Sequence, residues 1–139
     1  MSDGYDGPLP NLDVEPYARP FWTGAREEEL RVQECQDCGE RQHFPRPWCR
    51  NCAAESLEWI EIDGVGRIHS CTVVRHAIKF QAFADDTPYV LANVDLEASV
   101  RMLTMMTDCD AEAIKPGLPV EVVFDHVTDE IALPKFRPR

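Results

Sequence analysis

Cysteine is the residue type with the most distinctive chemistry in this chain, and four of its six cysteines form two Cys-x-x-Cys pairs. The pairs are Cys35 with Cys38 and Cys49 with Cys52, and ten residues separate Cys38 from Cys49. Two thiolates three positions apart on a tight turn can face one ion, and two such turns supply a tetrahedron of sulfurs at about 2.3 Å from zinc. The spacing therefore predicts a metal site in which cysteine fills every position.

A site with four cysteine ligands has no open coordination position, which indicates a structural ion rather than a catalytic one. Zinc is the expected metal. Iron in a rubredoxin-like electron carrier uses the same ligands, so the spacing leaves that alternative open. Disulfides are disfavoured, because paired Cys-x-x-Cys motifs in a cytosolic chain are typical of metal binding. Gly39 directly follows the first pair and suits a turn that needs a positive φ.

The other candidates for chemistry form no catalytic constellation in the sequence. Cys71 falls in a predicted strand and is expected to be a small buried hydrophobe, while the acidic neighbours of Cys109 disfavour its thiolate. His69, His76 and His126 have no carboxylate at a spacing typical of an acid–base pair. The sequence therefore favours a protein that is not catalytic on its own.

Several further residues are candidates for contact with a partner or its substrate. Phe21 and Trp22 could anchor a partner protein or could pin a helix to their own domain. The segment 76–88 interrupts the rhythm of strands and is too apolar for a solvated loop, which favours a binding role. Arginines between the cysteines could hold a phosphate or could offset the charge of the thiolates. The predicted contact residues are Phe21, Trp22, Arg46, Arg50, His76, Lys79, Phe80 and Phe83.

Length and charge restrict the class of protein. The 139 residues suit one compact domain or two very small ones. The net charge of −11 repels phosphate backbones and disfavours general binding to nucleic acid. No apolar stretch approaches the roughly 20 residues of a membrane span, and the N-terminus lacks the pattern of a signal peptide. A soluble, cytoplasmic protein is expected.

The order of elements is predicted from periodicity and capping signals. A short helix is expected after Thr23 as N-cap, with the acidic residues 27–29 near its start. Residues 31–56 show almost no alternation, so their order is expected to come from the metal. Alternation then predicts strands over 57–62, 67–75, 89–96, 100–107 and 120–127. Five or six short strands with closely spaced turns predict a small closed β-barrel.

The motifs of the chain also resemble, in order and spacing, those of a known family. They are Phe21-Trp22, Cys35-x-x-Cys38-Gly39, Pro45-Arg46, Cys49-x-x-Cys52, Gly64-x-Gly66 and Leu133-Pro134-x-Phe136. The family is the OB-fold proteins with a rubredoxin-like zinc ribbon, known as domain of unknown function family thirty-five and linked to acyl-CoA metabolism. The resemblance covers nearly the whole chain from Tyr17 onward. It implies a mainly β fold with an N-terminal extension and helix (1–30), a zinc ribbon (31–56) and an OB-fold barrel (57–139).

The resemblance further implies a function. Members of the family are similar to accessory subunits of thiolase-superfamily enzymes, and a related form accompanies enoyl-CoA hydratases. The implied role is a non-catalytic subunit in a hetero-oligomer with a thiolase-superfamily catalytic subunit, for acyl transfer, formation or cleavage of a C–C bond, or a retro-aldol step. Structural Zn²⁺, and acyl-CoA shared with the partner, are the implied ligands. A nucleic-acid-binding module and an independent small enzyme are the alternatives.

Overall fold

The computed structural model describes residues 5, 7–76, 85–96 and 99–139 of the chain. A 3₁₀ turn over Pro16–Ala18 leads directly into helix α1, Arg19–Arg26. Pro20 lies in the first turn of α1, where its fixed φ and missing N–H suit a helix start. The helix buries Phe21, Gly24 and Ala25 against the rest of the protein.

The predicted position of this helix was wrong by about one turn. Thr23 lies inside α1 rather than at its N-cap, and Glu27 caps its C-terminal end. The acidic residues 27–29 therefore follow the helix instead of opening it. The start is set by Pro20, because proline is favoured in a first turn although it breaks a helix interior. Phe21 and Trp22 consequently lie on the helix and not before it.

The cysteine-bearing region contains a three-stranded antiparallel sheet. Its strands are β1 (Leu30–Cys35), β2 (Arg41–Gln42) and β3 (Leu57–Ile62), in the order β2-β1-β3. Strand β1 was not predicted, because polar Gln33 is buried on one face while Val32 is buried on the other, which hides the alternation. Strand β3 has the predicted bounds, but it pairs with β1.

The second sheet has five antiparallel strands and curves into a nearly closed barrel. Its strands are β4 (Val65–Val74), β5 (Tyr89–Leu96), β6 (Val100–Met105), β7 (Pro119–His126) and β8 (Ala132–Pro138), in the order β6-β5-β4-β7-β8. A bridge between Met106 and Phe136 brings the end of β6 to β8, and the N–H of Thr107 donates to the carbonyl of Phe136 at 2.8 Å. The predicted mainly β fold with an OB-type barrel is confirmed.

One apolar core joins the helix, the small sheet and the barrel. Val94, Val120 and Phe136 are fully buried in the barrel and belong to the same cluster as Phe21 of α1 and Val32 of β1. Burying a side chain of this size stabilises a fold by about 1.5–3 kcal/mol. The three parts are therefore packed on one another.

Strands β4 and β5 approach each other closely at a glycine of the predicted motif. A Cβ at Gly66 would overlap the carbonyl group of Asp95 on β5. Only glycine fits this close pairing of the two backbones. Among the described residues, no helix is long and apolar enough to cross a membrane.

Candidate metal centre and an adjoining apolar groove

The four paired cysteines converge on one point beside the end of β1. Their sulfur atoms all lie within 4.8 Å of one another. The Sγ atoms of Cys35 and Cys52 are 3.6 Å apart, as are those of Cys38 and Cys49. A tetrahedron with metal–sulfur bonds of about 2.3 Å has edges of roughly 3.8 Å. The donor set therefore fits a single tetrahedral ion.

Two turns of equal geometry carry the sulfurs. The N–H of Gly39 donates to the carbonyl of Cys35 at 2.9 Å, and the N–H of Ala53 donates to the carbonyl of Cys49 at 2.9 Å. The backbone is left-handed at both positions, with φ of 80° at Gly39 and 65° at Ala53. The predicted positive φ at Gly39 is confirmed, and the second turn has the same conformation with alanine in place of glycine.

Asn51 supplies N–H groups to two of the sulfurs. Its backbone N–H donates to Cys49 Sγ at 3.4 Å, and its side-chain Nδ2 donates to Cys38 Sγ at 3.5 Å. The Asn51 side chain, together with the backbone at Glu40, lowers the pKa of the Cys38 thiol to about 6. The backbone at Ala54 lowers the pKa of Cys52, but hydrogen bonding to the other sulfurs, Cys35 first, raises it to about 12. A bound dication would hold all four as thiolates.

A buried pair of glutamines fixes the loop between the two turns, which we call the knuckle loop (residues 43–48). Gln42 Nε2 donates to Gln33 Oε1 at 2.7 Å and to the carbonyl of Trp48 at 3.1 Å. Gln33 receives a bond from the N–H of Arg46 at 2.9 Å and donates to the carbonyl of Arg46 at 2.8 Å. The N–H of Arg50 donates to Gln42 Oε1 at 2.9 Å. Sequence reasoning missed this network.

The arginines of this region are engaged in different ways. Arg41 Nε donates to Glu34 at 2.9 Å, and Arg50 donates to Glu40 at 3.2 Å. These two guanidinium groups are thus committed to carboxylates, which weakens the case for a shared phosphate site. The Arg46 side chain is exposed. A role for Arg46 and Arg50 in contacting a partner or substrate stays a prediction.

An apolar groove of about 350 Å³ lies where α1, the knuckle loop and the barrel meet. Phe21 and Trp22 line it from the helix, with their rings nearly perpendicular and 5.0 Å apart. Further apolar walls come from the knuckle loop and from strands β6 and β8, through Phe44, Pro45, Met102, Leu103, Leu133 and Pro134. We call this feature the apolar groove.

His43 lies in the wall of the apolar groove between two aromatic rings. Its ring centre is 5.1 Å from that of Phe21 and 4.7 Å from that of Phe44. Burial lowers the pKa of His43 from 6.5 to about 4, because desolvation disfavours the charged imidazolium. The imidazole is therefore neutral at physiological pH. Phe44 remains 60% exposed and Leu103 50% exposed at the rim.

Of the predicted contact residues, those that the structure describes lie in different places. Phe21 is buried and Trp22 half-buried, and both line the apolar groove. Arg50 lines a different cavity, and His76 is exposed after β4. Lys79, Phe80 and Phe83 lie outside the described residues. The groove residues that sequence reasoning did not select include Leu133 and Pro134, although the family-like motif contains them.

His69 and His126 each lie beside an exposed carboxylate, a proximity that sequence spacing does not show. His69 Nδ1 lies 3.4 Å from Asp95, which also accepts two bonds from Arg101. His126 lies 3.7 Å from Glu28. Exposed pairs of histidine and carboxylate contribute little to stability.

Cys109 lies outside the metal site. Burial raises the pKa of the Cys109 thiol, and the adjacent acids raise it further.

The fold and the cysteine geometry define a class of protein in which a four-cysteine zinc ribbon is joined to an OB-fold barrel. Two family models match the chain in these same terms. Residues 22–58 match "ChsH2, rubredoxin-like zinc ribbon domain", and residues 59–125 match "ChsH2, C-terminal OB-fold domain". The chain belongs to this ChsH2/DUF35 family.

The relatives of the chain fall into two groups by length. A "DUF35 domain-containing scaffold protein" of Methanothermobacter thermautotrophicus is 37% identical over 102 residues, covering 73% of this chain and 75% of that protein. A "Probable enoyl-CoA hydratase alpha subunit" of Thermomonospora curvata is 32% identical over 119 residues, covering 85% of this chain. This chain spans only 36% of that hydratase subunit.

A solved structure resembles the chain over nearly its whole length. It is described as an "Ltp2-ChsH2(DUF35) aldolase" and has a TM-score of 0.77 and 28% sequence identity. The likeness covers 94% of this chain and 98% of the matched chain.

Proposed function

We propose that this chain is a non-catalytic accessory subunit of an acyl-CoA enzyme complex. The observation that carries the proposal is its end-to-end likeness to a chain of the Ltp2-ChsH2(DUF35) aldolase, whose description pairs two proteins. The relative described as a hydratase alpha subunit supports the acyl-CoA context. The exposed Phe44 and Leu103 at the rim of the apolar groove support association with another protein.

The proposed partner is a thiolase-superfamily catalytic subunit, which would supply the nucleophile and the acid–base groups. This chain would complete the passage for an acyl-CoA substrate without supplying a reacting group. The proposed reactions are acyl transfer, C–C bond formation or cleavage, and retro-aldol cleavage. A hydratase partner is the neighbouring possibility, because two relatives are described as hydratase alpha subunits.

The proposed ion in the cysteine site is structural Zn²⁺. Cys35 and Cys49, which are buried, and Cys38 and Cys52, which are exposed, would hold it. The ion would cross-link the end of β1 to the turn at Cys49 and Cys52, which follows the knuckle loop, and would leave no position for a substrate. Zinc with no bound iron in metal analysis of the purified protein is the expected result. A ferric thiolate absorption spectrum would contradict it.

The experiment that tests the accessory role is purification of the tagged full-length chain from its native source. An acyl-CoA enzyme at a fixed ratio to this chain is the expected companion, identified by mass spectrometry. The two recombinant proteins should then turn over an acyl-CoA substrate together, while this chain alone should not. Turnover by the isolated chain, or salt-sensitive binding to single-stranded DNA with no enzyme partner, would refute the proposal.

A further inference from the structure

We propose that the apolar groove is the docking site for the catalytic subunit, which inserts an apolar side chain there and places a basic residue opposite Glu15. The inference rests on the accessory role proposed above and names the surface that performs it. Glu15 lines the groove together with Pro10 and Ala18, which precede α1.

The walls of the groove favour an apolar occupant. The aromatic rings of Phe21 and Trp22 line it together with aliphatic side chains of the barrel. His43 carries no charge at neutral pH, since its pKa lies near 4. Removing a Leu or Phe side chain from water into such surroundings contributes about 1.5–3 kcal/mol. A charged group inserted away from Glu15 would lose its hydration without gaining a partner.

The rim indicates that the occupant is a protein and not a small molecule. Phe44 is 60% exposed and Leu103 is 50% exposed, and both lie on the outer edge of the groove. A ligand that fits inside about 350 Å³ would leave the outer faces of these side chains in water. A protein surface with an apolar anchor and surrounding contacts covers both at once, as interfaces with a central anchor do.

Charge indicates that the occupant is not a second copy of this chain. Each copy carries a net charge of −11, so two copies repel one another. Glu15 receives a hydrogen bond from the Tyr17 hydroxyl at 3.4 Å, and no Lys or Arg in the described part of the chain forms an ion pair with it. A basic residue of the catalytic subunit would complement this carboxylate and would speed association.

The first test compares two exposed aromatic residues of the knuckle loop. Phe44 lines the groove, whereas Trp48, at 51% exposure, does not. The probe is the recombinant catalytic subunit identified by copurification, titrated by calorimetry. We expect Phe44→Ala to raise Kd at least about tenfold, as removal of a central anchor contact does. We expect Trp48→Ala to change it less than about threefold. Equal affinities for both variants would overturn the proposal.

A second variant covers the case in which Phe44→Ala disturbs folding. Leu103 lies on the exposed side of β6. The substitution Leu103→Ser should therefore leave the melting temperature nearly unchanged. It should raise Kd for the catalytic subunit at least about fivefold. Unaltered affinity with Leu103→Ser would count against the groove while leaving the accessory role intact. If no acyl-CoA enzyme copurifies with this chain, both the docking site and the accessory role would be refuted.

The third test concerns the charge opposite Glu15. Glu15→Gln should raise Kd several-fold at low salt and should flatten the dependence of the association rate on ionic strength. Glu112→Gln is the matched control, because Glu112 is an exposed carboxylate that does not line the groove. It pairs with Arg75 at 3.5 Å. Identical salt dependence for the two variants would remove the charge complementarity from the proposal.

Two other occupants are tested directly on the isolated full chain. Binding of decanoyl-CoA that Phe44→Ala abolishes would make the groove a ligand site and would overturn the proposal. Sedimentation equilibrium showing a dimer that Phe44→Ala dissociates would assign the surface to a second copy instead. A monomer that ignores decanoyl-CoA, together with the affinity losses above, is the expected set of results.

Discussion

Ala53 has a left-handed backbone conformation, which is less favourable for alanine than for the glycine at the equivalent position of the other turn, Gly39. Both residues are left-handed, with φ of 65° and 80°, and both close the turn that presents a pair of cysteines. An L-residue with a Cβ costs roughly 1–2 kcal/mol in this conformation. We expect Ala53→Gly to raise the free energy of unfolding by about 0.5–1 kcal/mol in urea titrations of the metal-bound protein.

Gly39→Ala is the reverse change in the equivalent turn and should lower the free energy of unfolding by about 1 kcal/mol. Outside the two adjacent residues, no atom lies within 4 Å of the position that its Cβ would take, so backbone conformation alone would produce the effect. Opposite signs for the two substitutions are the diagnostic result. A loss of stability with Ala53→Gly would show that the turns are not equivalent.

His43 makes the free energy of unfolding of the protein depend on pH. The folded protein holds its pKa near 4, below the ordinary value of 6.5, so the unfolded chain binds the extra proton between these two pH values. Stability is therefore complete above pH 6.5 and falls as the pH drops toward 4. At about 1.4 kcal/mol per pKa unit, the full loss is on the order of 3 kcal/mol.

The measurement for His43 is the free energy of unfolding at pH 7 and pH 4.5, for the wild type and for His43→Phe. We expect the variant to lose at least about 1.5 kcal/mol less than the wild type over this interval. Acid also protonates the cysteines, but both proteins share that effect. His76→Gln, which changes an exposed histidine, should behave as the wild type does. Parallel pH curves for His43→Phe and wild type would contradict the assigned cause.

At the level of elements, the knuckle loop depends on two buried side chains of the small sheet. Gln42 satisfies the N–H of Arg50 and the carbonyl of Trp48 while bonding to Gln33. A polar group left buried without a partner costs about 1–3 kcal/mol. We expect Gln42→Met to lower the free energy of unfolding by about 2–4 kcal/mol in urea titrations.

Gln36→Met is the control for this network. Gln36 is exposed and donates to the carbonyl of Glu34 at 3.1 Å, so its replacement should change stability by less than about 0.5 kcal/mol. Hydrogen exchange would locate the effect, with faster exchange of the N–H of Arg46 and Arg50 in Gln42→Met. Unchanged protection of these two amides would show that the loop is held by other contacts.

The alternating strands could be predicted from sequence because one face of each is buried. Strand β5 has the predicted bounds 89–96, since its alternate residues Val90, Ala92, Val94 and Leu96 all enter the core. Strand β8 gave no such signal, because Pro134 and Pro138 interrupt it. Proline is tolerated there in a strand whose ladder runs mainly along one neighbour, β7. Strand β1 was hidden by a polar residue that is nevertheless buried.

The metal ligands could be read from spacing, whereas the groove could not. The cysteines lie close in sequence, so their local turns alone bring the sulfurs together. The apolar groove assembles residues as distant in sequence as Phe21 and Pro134, whose placement around one cavity depends on how the barrel curves. Sequence selected the two aromatic residues of the helix, but it gave no means of placing them opposite β6 and β8.

On the scale of the whole molecule, the metal is expected to hold the small sheet and the groove together. Structural zinc in small domains contributes on the order of 10 kcal/mol of apparent binding energy. Cys49→Ser removes a buried ligand and should abolish metal binding and lower the melting temperature strongly. Because Val32 and Phe136 share one core, the loss should spread to the barrel. Elemental analysis and calorimetric melting provide the measurements.

Cys71→Ser is the matched control, because this cysteine lies on β4 outside the metal site. It should keep one metal ion per chain and should melt within a few degrees of the wild type. Cys49→Ser that retained both metal and stability would refute the assignment of the four ligands. Chelator treatment of the wild type should reproduce the Cys49→Ser phenotype, including loss of affinity for the catalytic subunit.

Because the four metal ligands lie close together in the sequence, metal binding can occur while the protein is being synthesised. All four cysteines lie within residues 35–52, ahead of every strand of the barrel. Domains emerge from the ribosome N-terminal part first, at roughly 5–20 residues per second. The nascent chain can thus capture its ion before the strands of the barrel have been synthesised. The metal-bound ribbon would then provide a folded surface against which the later strands pack. Cellular metal supply would therefore govern the yield of folded protein during synthesis.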